Sequence, residues 1–290
     1  MEWREVPAMQ TQTEPAGRLT PAHSTRYFPR EHGATAMLLM PIFSVAILAR
    51  SWRWSELAVL VAAFAAISAK DPAVVLLRQR FVWKQQRAET AAALRWLIGW
   101  SLLLLLSGTV LLATWPLRAF LDFGLGITAF LSLAIIVNLK NRQRSTLFQI
   151  ASAAALTSTS LATCISATGA IEPWCWWFWL LIALQASAGI LVVHARLDAR
   201  IALRRTTPRS LQFRRAAQVL LGVLAAAALT AAVLGHMGIT VALLLVTGGY
   251  AYDLIRQKDS AALQVSLKTV GQRALLLSSL YSALLIAGLW

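Results

Sequence analysis

Charge is scarce in this sequence: 13% of its 290 residues are Asp, Glu, Lys or Arg, about half the ~25% of an ordinary soluble domain. Set beside 58% hydrophobic residues, that shortage excludes a typical soluble globular protein. Acidic residues are scarcest, 12 against 27 Lys and Arg, leaving a formal net charge of +15. No apolar run lies close to the start, where a cleavable signal peptide would carry its h-region. The four His (His23, His32, His194 and His236) include no pair at metal-ligand spacing, so zinc and haem find no support and no metal site is expected. Only two Cys are present. Cys164 and Cys175 fall towards the same side and would oxidise together if a hairpin brought them close; two buried, unpaired thiols are the expectation. No Walker motif, Ser-His-Asp arrangement or nucleic-acid module stands out, which excludes nucleic acid as a partner despite a pI near 11.3.

What the chain has in quantity is long apolar runs cut by short basic stretches, the pattern of a polytopic membrane protein. Residues 1–30, with Pro7, Pro15 and Pro21 among scattered polar residues, read as a disordered cytosolic tail, and residues 31–290 as one transmembrane helical domain. Nine spans are predicted, at roughly 34–49, 57–69 with its flanks, 96–115, 119–139, 148–169, 174–193, 216–234, 239–254 and 274–289. The second and eighth are short. Proline lacks an amide hydrogen and biases the preceding residue away from the helical region, so Asp71-Pro72 predicts the exit of the second helix.

The basic residues give an independent test. Allotted to the loops that nine spans create, 24 of the 27 Lys and Arg fall on one side and 3 on the other. By the positive-inside rule the rich side is cytosolic, which puts the N-terminus in the cytosol and the C-terminus outside. Trp52, Trp54, Trp115, Trp174, Trp176, Trp177, Trp179 and Trp290 fall at the external ends, as an aromatic belt does. Most of the basic excess is therefore orientation, with attraction to anionic membrane lipids.

Polar groups are costly in hydrocarbon, and here they collect at the cytosolic ends of spans. Arg30, Glu31 and His32 precede the first, and Lys70, Asp71, Arg78 and Arg80 follow the second. Asn138 and Lys140 follow the fourth, His194, Arg196, Asp198 and Arg200 the sixth, while Tyr250, Tyr252 and Asp253 end the eighth. Converging in a bundle, such ends would make a mouth suited to phosphate or another anion. The candidate ligand set is His32, Lys70, Asp71, Arg78, Arg80, His194, Arg196, Asp198 and Arg200; the alternative is that each is an ordinary interfacial charge. Gln185 reads as an interhelical hydrogen bond, and Gly248-Gly249-Tyr250 as a place of close helix packing or a break.

The string Arg30-Glu31-His32-Gly33-Ala34-Thr35-Ala36-Met37-Leu38-Leu39-Met40-Pro41 resembles the start of the YwiC-like bacterial membrane proteins. In that family a basic or polar residue precedes His-Gly-Ala-Trp-Ala-Met and a proline closes the first half-span. Thr35 stands where the family has Trp. Pro72 followed by Val74 to Arg80 resembles the family's proline and basic helix after the second span. The resemblance implies a multi-pass protein of the bacterial inner membrane.

The topology, with polar sites after spans two and six, also resembles the UbiA superfamily of intramembrane prenyltransferases. There, two Asp-rich motifs hold magnesium and a prenyl diphosphate, because the departing diphosphate must be neutralised. Only Asp71 and Asp198 stand at the comparable places. Two readings follow from so large a departure. Either Arg78, Arg80, Arg196, Arg200 and His32 act as fixed cations in place of metal, or the fold persists without transferase activity and binds or moves a lipid or small anion. No cofactor is expected, magnesium being the one that the UbiA resemblance would imply. Activity stays open: a degenerate prenyltransferase-like protein binding a phosphorylated isoprenoid or lipid, a transporter for a small anion or lipid, or a non-catalytic subunit of a membrane complex.

Overall fold

A computed structural model describes residues 32–85, 89–140, 145–205 and 210–290, apart from the side chains of residues 32–34 and 267. The tail predicted for residues 1–30, with Arg30 and Glu31, lies outside the described residues. Every described element is helical: α1 (His32–Leu48), α2 (Trp54–Leu77), a π-helical turn (Arg78–Trp83) continuing it, α3 (Thr90–Thr114), α4 (Leu117–Leu139), α5 (Thr146–Thr157), α6 (Thr159–Thr168), α7 (Pro173–Arg205), α8 (Gln212–Val233), α9 (Met237–Arg256), α10 (Ser260–Gln264) and α11 (Leu267–Leu289). Eight stretches are long and apolar enough to cross a membrane, and Thr35–Leu48 is a shorter ninth. The chain is thus an all-α, multi-pass helix bundle.

Three expectations need correcting. The second and eighth spans are full-length, 30 and 20 residues; the first is the short one. Pro72 is not an exit. It sits buried inside α2, which runs on through the π-turn to Trp83; proline withdraws only the amide aimed at the carbonyl four residues back, and a helix held by neighbours survives that loss. The sixth span does not end at Val193, since α7 continues for three more turns to Arg205, so the stretch from His194 to Arg205 is helix and its charges have fixed phases.

The fifth span is broken. α5 ends at Thr157, and α6 starts at Thr159 after a single non-continuing residue, Ser158. Hydroxyls gather there and bond back to carbonyls of their own turns, Thr157 Oγ1 to Ala153 at 2.9 Å and Ser160 Oγ to Thr157 at 2.9 Å, which bends helices. Thr159 Oγ1 instead reaches across to the Leu38 carbonyl of α1, 3.1 Å away. α1 carries a proline, Pro41, inside its continuous helix about one turn further on.

Gly169 and Gly235, both at positive φ, make the tight turns after α6 and α8. The first turn brings Cys164 and Cys175 together as a disulfide, Cα atoms 6.6 Å apart, both fully buried. The expectation of two free thiols is overturned. Sequence separation alone could not show that a four-residue turn folds α7 back beside α6. A disulfide belongs to an oxidising compartment, and this turn is on the side that the charge partition places outside.

Hydrocarbon offers helices no hydrophobic drive to associate, so small residues and close backbones hold the bundle. α9 and α11 touch backbone to backbone: a Cβ placed on Gly238 would stand 2.5 Å from Gly288 Cα. Further along the same pair, a Cβ on Gly249 would stand 2.8 Å from Leu277 Cδ2. Gly249 therefore serves close packing, and α9 runs unbroken through it. Two buried clusters result. α1, α2, α6 and the facing ends of α3 and α4 share one, around Leu38, Val59, Leu111, Trp115 and Ile165. α7, α8, α9 and α11 share the other, around Phe178, Leu191, Leu224, Leu243 and Tyr281.

Candidate functional site

Residues four apart on a helix share a face, whereas two residues on is about 200° round the axis. On α7 this splits the sequence candidates. Arg196 and Arg200 fall on one side together with Arg204; His194 and Asp198 fall on the other. The contacts agree. The His194 ring stacks on Phe213 of α8, centroids 4.8 Å apart, while the arginine side faces α9 and α10.

Arg196 is the deepest of the three, 6% exposed. One guanidinium nitrogen, Nη2, donates to the Ala262 carbonyl of α10; Nε is buried without a partner. Arg196 lines a narrow crevice with Val192, Tyr250, Asp253 and Gln257. Its volume is about 10 Å³, room for roughly one water. Asp253 attracts the Arg196 charge, and Arg200, Arg256 and Arg273 repel it. Below the crevice, towards the basic end, Arg200, Leu203, Arg204, Leu263 and Gln264 line a roomier hollow of about 210 Å³. Two guanidiniums and two leucines meet there with no carboxylate in the lining, a combination that suits an anionic head joined to an apolar tail.

A hydrogen-bonded network fixes the helices above this site. Gln185 Nε2 donates to Tyr250 Oη at 2.7 Å and to Ser278 Oγ at 2.8 Å, joining α7, α9 and α11 as an interhelical bond of the kind read from the sequence. Gln257 Nε2 donates to the Val192 carbonyl at 3.1 Å, and Tyr281 Oη to Leu181 at 3.1 Å. Gly189 allows the first of these to form, since a Cβ there would come within 2.6 Å of Tyr250 Oη.

The remaining candidates lie elsewhere. Asp71 is exposed, 3.6 Å from Lys70 Nζ. Arg78 Nη2 donates to the Asn138 carbonyl at 2.7 Å, tying the π-turn to the end of α4. Arg80 is exposed, its guanidinium 5.7 Å from the Phe81 ring centre. His32 opens α1, its side chain outside the described residues. α2 packs mainly on α1, α3, α4 and α6, and α7 on α5, α8, α9 and α6. The two candidate groups thus belong to different helix clusters. Among the described residues no three His, Cys, Asp or Glu side chains gather for a metal ion. Asp71 is engaged with Lys70, and Asp198 is on the α7 face away from the arginines. The described carboxylates do not assemble a magnesium site of the UbiA kind, and no chemistry is routed through one.

Two contributors were missed from the sequence. Arg204 sits in no motif, and its spacing of four from Arg200 places the two on one face only because α7 continues past Val193 to Arg205. The Ala262 carbonyl belongs to a one-turn helix that no periodicity announces.

Residues 28–164, just under half of the chain, match the family model of the YwiC-like proteins. The match takes in the Arg30–Pro41 string and bears out the resemblance drawn from it. It covers α1 to α5 and the first turns of α6, and leaves α7 to α11 outside. No curated protein and no solved structure matches the chain, so the likeness to UbiA rests on topology.

Proposed function

We propose that this is a multi-pass protein of the bacterial inner membrane that binds a phosphorylated isoprenoid or lipid at its cytosolic mouth. The headgroup would lie on Arg200 and Arg204 in the hollow between α7 and α10, with Arg196 behind it, and the tail would run along Leu203 and Leu263 into the bilayer. One observation carries the reading: an amphipathic hollow of about 210 Å³ whose charged lining is two arginines a turn apart. Hydrogen bonds to ionised groups contribute about 1.5–3 kcal/mol each. Removing both arginines, about 3–6 kcal/mol together, then weakens binding by roughly a hundredfold to ten-thousandfold.

The experiment is titration of the purified protein in nanodiscs with farnesyl diphosphate, farnesyl monophosphate and farnesol, read by native mass spectrometry. Binding that follows the phosphate and drops in Arg200→Ala/Arg204→Ala supports the proposal. Equal uptake of farnesol, or an unchanged double variant, removes it.

A permease is the second reading, favoured by the interrupted fifth span, whose break bonds to α1 through Thr159 and the Leu38 carbonyl, since discontinuous helices line the sites of many transporters. It predicts flux of an anion or lipid in proteoliposomes that Ser158→Leu, which removes the hydroxyl at the break, reduces.

A further inference from the structure

Glu56 is the sole acidic residue between Glu31 and Asp71. It sits in the first turn of α2, at the end of the bundle opposite the arginines. Its neighbours Trp52 and Trp54 face outward, 70% and 83% exposed, yet Glu56 turns inward and is 5% exposed. This is where α2 meets α1 and α6: Ser51 N–H donates to the Ala46 carbonyl at 3.1 Å, and Ser55 Oγ to the Ser166 carbonyl at 3.4 Å. Neither carboxyl oxygen of Glu56 makes a well-formed hydrogen bond, and neither does the buried Ser51 Oγ; the Ser51 hydroxyl and the Arg53 N–H are the donors beside the carboxyl. The nearest charge is Arg53, exposed in the same turn. It is too far for an ion pair; those among the described residues are Lys70–Asp71 and Arg118–Asp122.

A carboxylate taken out of water with no ion-pair partner is unfavourable, and an ionisable group placed so within a membrane bundle asks for a counter-charge. Three oxygens of two side chains meet at one spot with no counter-charge in contact, just beneath exposed tryptophans and so within reach of the aqueous face. Carboxyl and hydroxyl oxygens are hard donors, the type that alkali ions and protons take. We infer that Glu56 and Ser51 form an oxygen-lined site for a monovalent cation, sodium or a proton, at the end of the bundle that the charge partition places outside. A sodium ion would bridge the Glu56 carboxylate and Ser51 Oγ. A proton would make Glu56 a carboxylic acid, with Ser51 Oγ free to accept from it. The inference stands apart from the headgroup proposal, since it shares no residue with the arginine hollow.

The test uses the full chain purified in nanodiscs and dicyclohexylcarbodiimide, which modifies buried protonated carboxyls, with the adduct mapped by peptide mass spectrometry. Reaction at Glu56 at pH 6 that slows at least tenfold when sodium chloride replaces choline chloride at constant ionic strength identifies a sodium site. Reaction that falls at least tenfold as pH rises from 6 to 9, indifferent to sodium, identifies a proton site. Ser51→Ala should reduce the sodium protection several-fold, a readout that does not depend on Glu56 variants folding, and Glu56→Gln should abolish the adduct. No adduct at Glu56, or one insensitive to both sodium and pH, overturns the inference.

Discussion

Three glycines on α9 make a graded test of how the helices meet. A Cβ on Gly238 would lie 2.5 Å from Gly288 Cα, whereas carbon atoms rest about 3.5–4.0 Å apart. Backbone cannot rotate aside as a side chain does, so α9 and α11 must separate by about 1 Å, an overpacking cost of ~1–3 kcal/mol. Gly238 lies in the first turn of α9, where helix propensity returns little. A Cβ on Gly249 would meet Leu277 Cδ2 at 2.8 Å, the end of a mobile leucine. Its cost is about 1 kcal/mol, close to the ~0.8–1 kcal/mol that replacing a mid-helix glycine by alanine recovers. Gly248 has nothing within 4 Å, so only the recovery applies. The expected order of stability is Gly248→Ala above wild type, Gly249→Ala near it, and Gly238→Ala below, the extremes about 2–4 kcal/mol apart. Unfolding in mixed micelles of rising SDS fraction, followed by tryptophan fluorescence, measures it. Equal stability of Gly238→Ala and Gly248→Ala would refute the backbone contact, and Leu277→Ala should cancel any loss in Gly249→Ala.

Cys164 and Cys175 should resist maleimide in denatured, unreduced protein and react after reduction; losing the disulfide with Cys164→Ser/Cys175→Ser costs about 3 kcal/mol, the value for so short a loop, read in the same micelle titration. Tyr250→Phe removes one acceptor from Gln185 and leaves Ser278, so the loss should be about 0.6 kcal/mol, the mean for bonds between membrane helices, while Gln185→Leu should lose more. An impermeant thiol reagent applied to whole cells should label Glu172→Cys, in the exposed turn after α6, and spare Lys258→Cys, beyond α9; the reverse pattern would invert the charge-based orientation.

The spans were legible because hydropathy is local. The apolar runs stand out one by one, and the 24-to-3 partition of basic residues checked their number without any structure. Where they end was less so. Pro72 reads as a stop when its helix is considered alone, but α2 runs on past it alongside α3. Val193 closed the sixth span because charge begins there, and charge says nothing of backbone conformation. That error hid the phase of α7, which alone separates Arg196, Arg200 and Arg204 from His194 and Asp198. Glu56, a lone acid just after Trp52 and Trp54, belongs to no motif in the sequence; its burial depends on α1 and α6, contacts that no local pattern encodes. The disulfide likewise depends on a turn geometry that two cysteine positions do not contain.

The fit of α1 beside α11, with Arg50 stacked 4.5 Å over the Trp290 ring, has a consequence in time. At a synthesis rate of about 5–20 residues per second, α11 follows α1 by on the order of ten to fifty seconds. Throughout that wait one flank of α1 faces lipid or an insertion factor, and Gly238 has no backbone to meet. The early helices can settle as they are made, through pairs close in sequence such as α2 with α3. Closure of the bundle, and with it the walls of the crevice at Arg196 that Val270 and Ala274 complete, must await the last described helix. A nascent chain stalled before Ser266 should therefore hold a formed first half and an open second.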